Sequence, residues 1–202
     1  MTATLALILV TTVVSFAAFN NQRLISALWL WPPAVQRRGE YYRLLSYGLV
    51  HADFAHLAFN MITLYFFGGA MERIFAPVLG VPGFVGFYVG GLLASILPSY
   101  FKHRSDADYR SLGASGAVSA ALFAYILFQP WSLIFVFFVP VPAIVFAVAY
   151  VGYTIWAERR GGDRINHQAH LWGAAYGVAF TLVLEPRVLL LFVQRLLQPE
   201  FG

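Results

Sequence analysis

Apolar residues run through this chain in long unbroken blocks, without the alternation of a half-buried strand or the rhythm of a coiled coil. Six blocks approach the roughly 20 residues that an α-helix needs to cross a bilayer: roughly 3–19, 54–74, 78–100, 113–128, 131–156 and 168–192. All are predicted helical, because backbone polar groups in lipid must be satisfied within their own segment. The expected fold is an all-α membrane protein, a six-transmembrane-helix bundle in one domain covering 1–202. The first block lacks the basic stretch of a cleaved signal peptide and is read as a retained span.

Composition supports this picture and narrows it. Hydrophobic residues make up 60% of the 202 positions and charged ones only 11%, where a soluble domain carries about a quarter. The net charge of +4 comes from Lys and Arg in the connections. These fit lipid-facing anchors, and no basic run points to nucleic acid. Cysteine is absent, which excludes disulfides and thiolate chemistry. Between the first two blocks, Trp29, Trp31, Pro32 and Pro33 mix with Arg23, Arg37 and Arg38. That mixture predicts a segment lying in the headgroup zone.

Polar residues inside membrane-grade chain are costly and mark candidate chemistry. Gly113-Ala114-Ser115-Gly116 opens the fourth block, and His170 lies near the start of the sixth. The fourth block spans only about 24 Å against roughly 30 Å of hydrocarbon. A helix that short can begin below the surface, leaving Ser115 in a recess reached by water. His56 and Asn60 open the second block. Blocks two, four and six run in one direction across the bilayer, so all these residues fall on one side at similar depth. His170, Gly173 and Gly177 form one helical stripe, and Gly113, Gly116 and Ala120 another. Small-residue stripes allow close backbone approach. Alone, such a string more often reflects packing, but a serine beside a base is the arrangement of nucleophilic catalysis.

The chain resembles the rhomboid intramembrane serine proteases in their minimal six-span form. The resemblance rests on three stretches: His51-Ala52-Asp53-Phe54-Ala55-His56-Leu57-Ala58-Phe59-Asn60, Gly113-Ala114-Ser115-Gly116, and Ala169-His170-Leu171-Trp172-Gly173 followed by Gly177. It implies Ser115 as nucleophile and His170 as general base, with Asn60, His56 and the Ser115 backbone N–H holding the oxyanion. His51, Gly113, Gly116, Gly173 and Gly177 would be supporting residues. It implies single-span membrane proteins as substrates, a lipid bilayer as surroundings, and no cofactor or metal. The fifth block carries Phe137, Phe138, Phe146, Tyr150, Tyr153 and Trp156; by themselves these read more simply as aromatics facing lipid, and the resemblance implies a lateral gate against the second block.

Two positions depart from the family pattern. Tyr42-Arg43 stands where relatives carry Trp-Arg, and Ser119 where some place an aromatic stacked on the histidine. None of Asp53, Asp163 and Glu185 is well placed as a third catalytic member, so a Ser-His dyad is expected. The five histidines include no His-Glu-x-x-His spacing, which argues against a metal enzyme. A catalytically silent relative that binds membrane clients is the alternative, though such proteins usually lose the serine or histidine. Arg23, Arg37, Arg38, Arg43, Lys102, Arg104, Arg110, Arg159, Arg160 and Arg164 lie on the Ser115 side, against Arg73, Arg187 and Arg195 on the other. The positive-inside rule would turn the site to the cytoplasm. The resemblance implies an inner or plasma membrane protein with its site facing the exterior or periplasm, and that is the expectation adopted.

Overall fold

The computed structural model describes residues 1–136, 138–162 and 165–199. Helices dominate it. α1 (Thr2–Phe19) leads into three short helices, α2 (Gln22–Leu28), α3 (Pro32–Arg38) and α4 (Arg43–Ser46). α5 (Phe54–Thr63) continues through a π turn (Leu64–Gly68) into α6 (Gly69–Lys102). α7 (Ser115–Phe128) is followed by the strands β1 (Leu133–Val136) and β2 (Val139–Pro142), then α8 (Ala143–Arg160), α9 (His167–Leu184) and α10 (Arg187–Leu197).

Among the described residues, two helical stretches suffice by length and composition to cross a bilayer, Thr2–Phe19 and the continuous Phe54–Lys102, or three if the bent pair α9–α10 counts as one. Gly80, at φ 72° and ψ 168°, interrupts the long stretch between Pro77 and Pro82. Only glycine takes that backbone without strain, so the division expected near 74–78 falls there.

Three expected boundaries shift for local reasons. The block expected over roughly 131–156 opens with an antiparallel hairpin, Leu133 opposite Pro142 and Val136 opposite Val139. The all-α expectation therefore misses one small β element. Pro140 and Pro142 supply no N–H to a helix, and α8 starts directly after them. The helix expected to reach 192 ends at Leu184, and α10 leaves it at 113°. Pro186 sits at that corner and cannot continue the α9 ladder. α7 is shorter than its apolar run, beginning at Ser115 itself.

α7 is the centre of the bundle and is buried along nearly its whole length. Lipid is as apolar as leucine, so helix association here rests on close packing and hydrogen bonds. A Cβ on Gly173 would strike the Gly116 carbonyl, and one on Gly177 the Ala120 carbonyl. The α7–α9 seam therefore depends on both glycines. Large apolar residues such as Phe59, Phe66, Val148 and Val183 point outward, as a lipid-facing surface requires. Glu72 of α6 is buried and accepts from the N–H groups of Ala3 (3.0 Å) and Thr4 (2.8 Å) and from Thr4 Oγ1 (2.6 Å). It satisfies the orphan donors at the start of α1.

The segment expected in the headgroup zone is organised around Arg43, which is buried. Its guanidinium donates to Glu40 Oε2 at 2.5 Å and to the carbonyls of Ser26 at 2.8 Å and Trp29 at 3.0 Å. That donation holds the Glu40 carboxyl below the usual carboxylate range. Leu30 exchanges backbone hydrogen bonds with Ser111 at 2.9 and 3.2 Å. The interfacial segment is thereby tied to the strand of chain that delivers Gly113.

Candidate active site

The site is built at the start of α7. Gly113 adopts φ 110°, a region that strains any residue with a Cβ. Its N–H donates to the Tyr47 carbonyl at 2.9 Å. The chain then turns through Ala114 into the helix, so Ser115 stands in its first turn. The first N–H groups of a helix have no intrahelical acceptor, and they carry the positive end of its dipole.

Ser115 Oγ lies 2.7 Å from His170 Nε2. Both residues are half-buried. His170 comes from the first turn of α9, whose start is capped by Asn166 accepting from the Ala169 N–H at 3.0 Å. Asn166 also donates to Tyr109 OH at 2.9 Å and Ser111 Oγ at 3.2 Å, fixing α9 to the loop before Gly113. Among the described residues no carboxylate hydrogen-bonds to the His170 ring. Asp53 instead caps α5, accepting from the His56 N–H at 2.8 Å, and Glu185 pairs with Arg187 at 2.7 Å. Asp163 lies outside the described residues.

His56 packs its ring against Gly113: a Cβ there would fall 2.6 Å from Cε1 and 2.8 Å from Nε2. Asn60, buried one turn along α5, donates from Nδ2 to the His56 carbonyl at 2.8 Å. One amide hydrogen is thus held within the helix, and the second is not involved in that bond. Gly116 allows Ser95 to pack against α7, since a Cβ there would meet Ser95 Oγ and Cβ.

His51 is fully buried beneath the serine turn. Ser15 Oγ of α1 donates to the Leu49 carbonyl at 2.8 Å, so it accepts from His51 Nδ1 at 2.9 Å. That fixes the tautomer: Nε2 is left as the acceptor, and it takes the Ala114 N–H at 3.3 Å. Serine, imidazole and backbone form one chain of bonds from α1 to the residue preceding Ser115.

Two contributors, Ser15 and Tyr47, escaped the sequence reading, and a third, Tyr150, was expected only as a gate aromatic. Ser15 was signalled only by being polar in an apolar helix. Tyr47 accepts from Gly113, and its hydroxyl donates to the Leu92 carbonyl at 2.7 Å; nothing in the sequence pointed to it. Tyr150 of α8 stacks on His170 with ring centroids 6.2 Å apart and planes 19° apart, while its hydroxyl shares a hydrogen bond with Ser119 Oγ at 3.0 Å. The aromatic surface missing at position 119 therefore arrives from another helix. Of the expected gate aromatics, Phe146 and Tyr150 stack inward on each other, Tyr153 and Trp156 are exposed, and Phe138 belongs to the hairpin loop. Phe137 lies outside the described residues.

No cluster of three or more His, Asp or Glu able to hold a metal exists among the described residues. Cavities of about 320 and 310 Å³ lie at the C-terminal end of α7, both lined by Gln129 and Arg195, remote from Ser115.

A family model described as Rhomboid domain matches residues 38–187. The chain belongs to the rhomboid family. That match includes every site residue from His51 to Gly177 but not Ser15. The chain is similar to the RHOMBOID-like protein 12, mitochondrial, of Arabidopsis thaliana, 30% identical over 69% of this chain and 45% of the relative. It is also similar to the Putative rhomboid protease YdcA of Bacillus subtilis, 37% identical over 45% of this chain and 42% of the relative. Rhomboid protein 1, mitochondrial, of Saccharomyces cerevisiae is 33% identical over 64% of this chain and 38% of its own length. The chain spans less than half the length of these rhomboid relatives.

Proposed function

We propose that this rhomboid-family chain is an intramembrane serine endopeptidase, a single domain over 1–202 with six membrane spans. The observation that carries the reading is the 2.7 Å contact between Ser115 Oγ and His170 Nε2 at the start of a buried helix. A serine becomes nucleophilic when a base within hydrogen-bond reach takes its proton. His170 removes the Ser115 proton as Oγ attacks the scissile carbonyl. The tetrahedral oxyanion is held by the Ser115 N–H, His56 and Asn60, each such donor being worth roughly 3 kcal/mol in a dry site. The imidazolium then protonates the leaving amine. Water, deprotonated by His170, hydrolyses the acyl-enzyme and releases the acid product with Ser115 restored.

Substrates in this reading are single-span membrane proteins that reach the site sideways through the bilayer. Their helices must unwind before attack, which favours small residues, Gly or Pro near the cut. The chemistry draws on no metal or cofactor. A dyad without a carboxylate orients its imidazole less firmly, so slow turnover is expected.

The test is cleavage of a single-span substrate by purified protein in detergent. Ser115→Ala and His170→Ala should each lower kcat by roughly a thousandfold or more. A Ser115→Ala variant that still cuts at the wild-type rate would overturn the reading.

A further inference from the structure

Among the described residues no carboxylate bonds to His170, so another group must stop the imidazole turning away from Ser115. The ring torsion of histidine is broad and offers little resistance of its own. Tyr150 stacks beside the ring, offset and nearly parallel, with centroids 6.2 Å apart and planes 19° apart. Tyr150 is itself fixed on three sides. Its hydroxyl meets Ser119 Oγ at 3.0 Å, and its ring packs on Phe146 at 5.5 Å and Phe123 at 5.7 Å. Ser119 sits one turn along α7 from Ser115, so the two serines share a helix face. The nucleophile, the base and the tyrosine thus form a closed circuit across α7, α9 and α8.

α8 is the lightly held member of that circuit. Its buried residues are Ala143, Ala147, Thr154 and Ala157, all small. Outward movement of α8 would lift the Tyr150 ring from His170, whereas α7 and α9 are locked together through Gly173 and Gly177.

We propose that Tyr150 is a positioning residue for the Ser115–His170 pair, and that it makes the imidazole's orientation depend on the seating of α8. Helix α8 is then more than a door: with it displaced the base is slack, and Ser115 becomes reactive only when α8 closes back. This rests on the reading of Ser115 and His170 as the reacting pair.

The test uses the full chain in detergent, with two readouts. One is the rate at which a small fluorophosphonate modifies Ser115, which needs no sideways access. The other is kcat and KM on a single-span substrate. Tyr150→Phe keeps the ring and should stay within about threefold of wild type on both. Tyr150→Leu should slow modification and kcat by about tenfold or more while KM moves less than about twofold. Ala147→Leu, one turn before Tyr150 on the same buried face, wedges α8 outward while leaving the tyrosine itself in place and should also slow modification; a mere door would leave it unchanged or faster. A wild-type modification rate in Tyr150→Leu or in Ala147→Leu overturns the proposal. Should Tyr150→Leu fail to fold, the Ala147→Leu result decides alone. Ser115→Ala separates the two levels: full cleavage there defeats the underlying reading, whereas an inert Ser115→Ala beside an unimpaired Tyr150→Leu defeats only the positioning role.

Discussion

Ser15 is about a hundred positions before the nucleophile, yet its hydroxyl sets the protonation pattern beneath it. By donating to Leu49 and accepting from His51, it leaves His51 Nε2 free to take the Ala114 N–H. Ser15→Ala would strand a partly buried carbonyl and a buried imidazole N–H. Leaving such groups unpaired costs about 1–3 kcal/mol, and unfolding of the variant in detergent should show a loss of that size. An unchanged melting curve would mean the hydroxyl clamps nothing. Arg43 tells a related story. Tyr42-Arg43 differs from the Trp-Arg of relatives, but the guanidinium still reaches two carbonyls and Glu40, and the Tyr42 ring lies under it at 5.4 Å.

At the scale of elements, the seam between α7 and α9 decides whether a serine and a histidine 55 positions apart can meet at 2.7 Å. Gly173 and Gly177 face the carbonyls of Gly116 and Ala120 so closely that a methyl group has no room. Backbone cannot yield as a flexible side chain does, so the helices would have to part. Gly177→Ala should cost about 1–3 kcal/mol or more of stability and slow Ser115 modification, since a small shift at the seam misplaces the imidazole. Thermal unfolding paired with fluorophosphonate labelling checks both. The stripe of small residues was visible in the sequence because helical spacing alone places them on one face. The hairpin at 133–142 and the corner at Pro186 were not anticipated, because uninterrupted hydrophobicity outweighed the prolines embedded in it.

For the molecule as a whole, charge and family lead to opposite orientations. Several cations on the Ser115 side are engaged within the protein. Arg43 is paired with Glu40, and Arg110 stacks over Trp31 at 4.7 Å and Trp29 at 5.6 Å, with Arg38 over Trp31 at 5.2 Å. Aromatic rings at an interface attract such cations whichever side they face, so the simple count overstates the cytoplasmic bias. The absence of cysteine makes the test clean. Both Arg104 and Gln129 are exposed, and single cysteines there should be labelled from opposite sides of intact cells, position 104 from outside. Labelling of position 129 from outside instead would overturn the orientation expected from the resemblance.

Hydropathy by itself determined that this chain belongs in a membrane, because burying so much apolar surface in water-facing structure is not feasible at 202 residues. Spacing and the parity of six expected crossings likewise predict Ser115, His170, His56 and Asn60 on one side. Helices two crossings apart must run the same way, and that needs no coordinates. What tertiary structure alone decided were contacts between elements with no fixed relation in sequence: Ser15 under His51, Arg43 among the carbonyls of Ser26 and Trp29, and Tyr150 over His170. Periodicity tells which face of a helix is apolar. It does not tell which neighbour that face will meet, because that depends on the rotation and tilt of every helix packed around it.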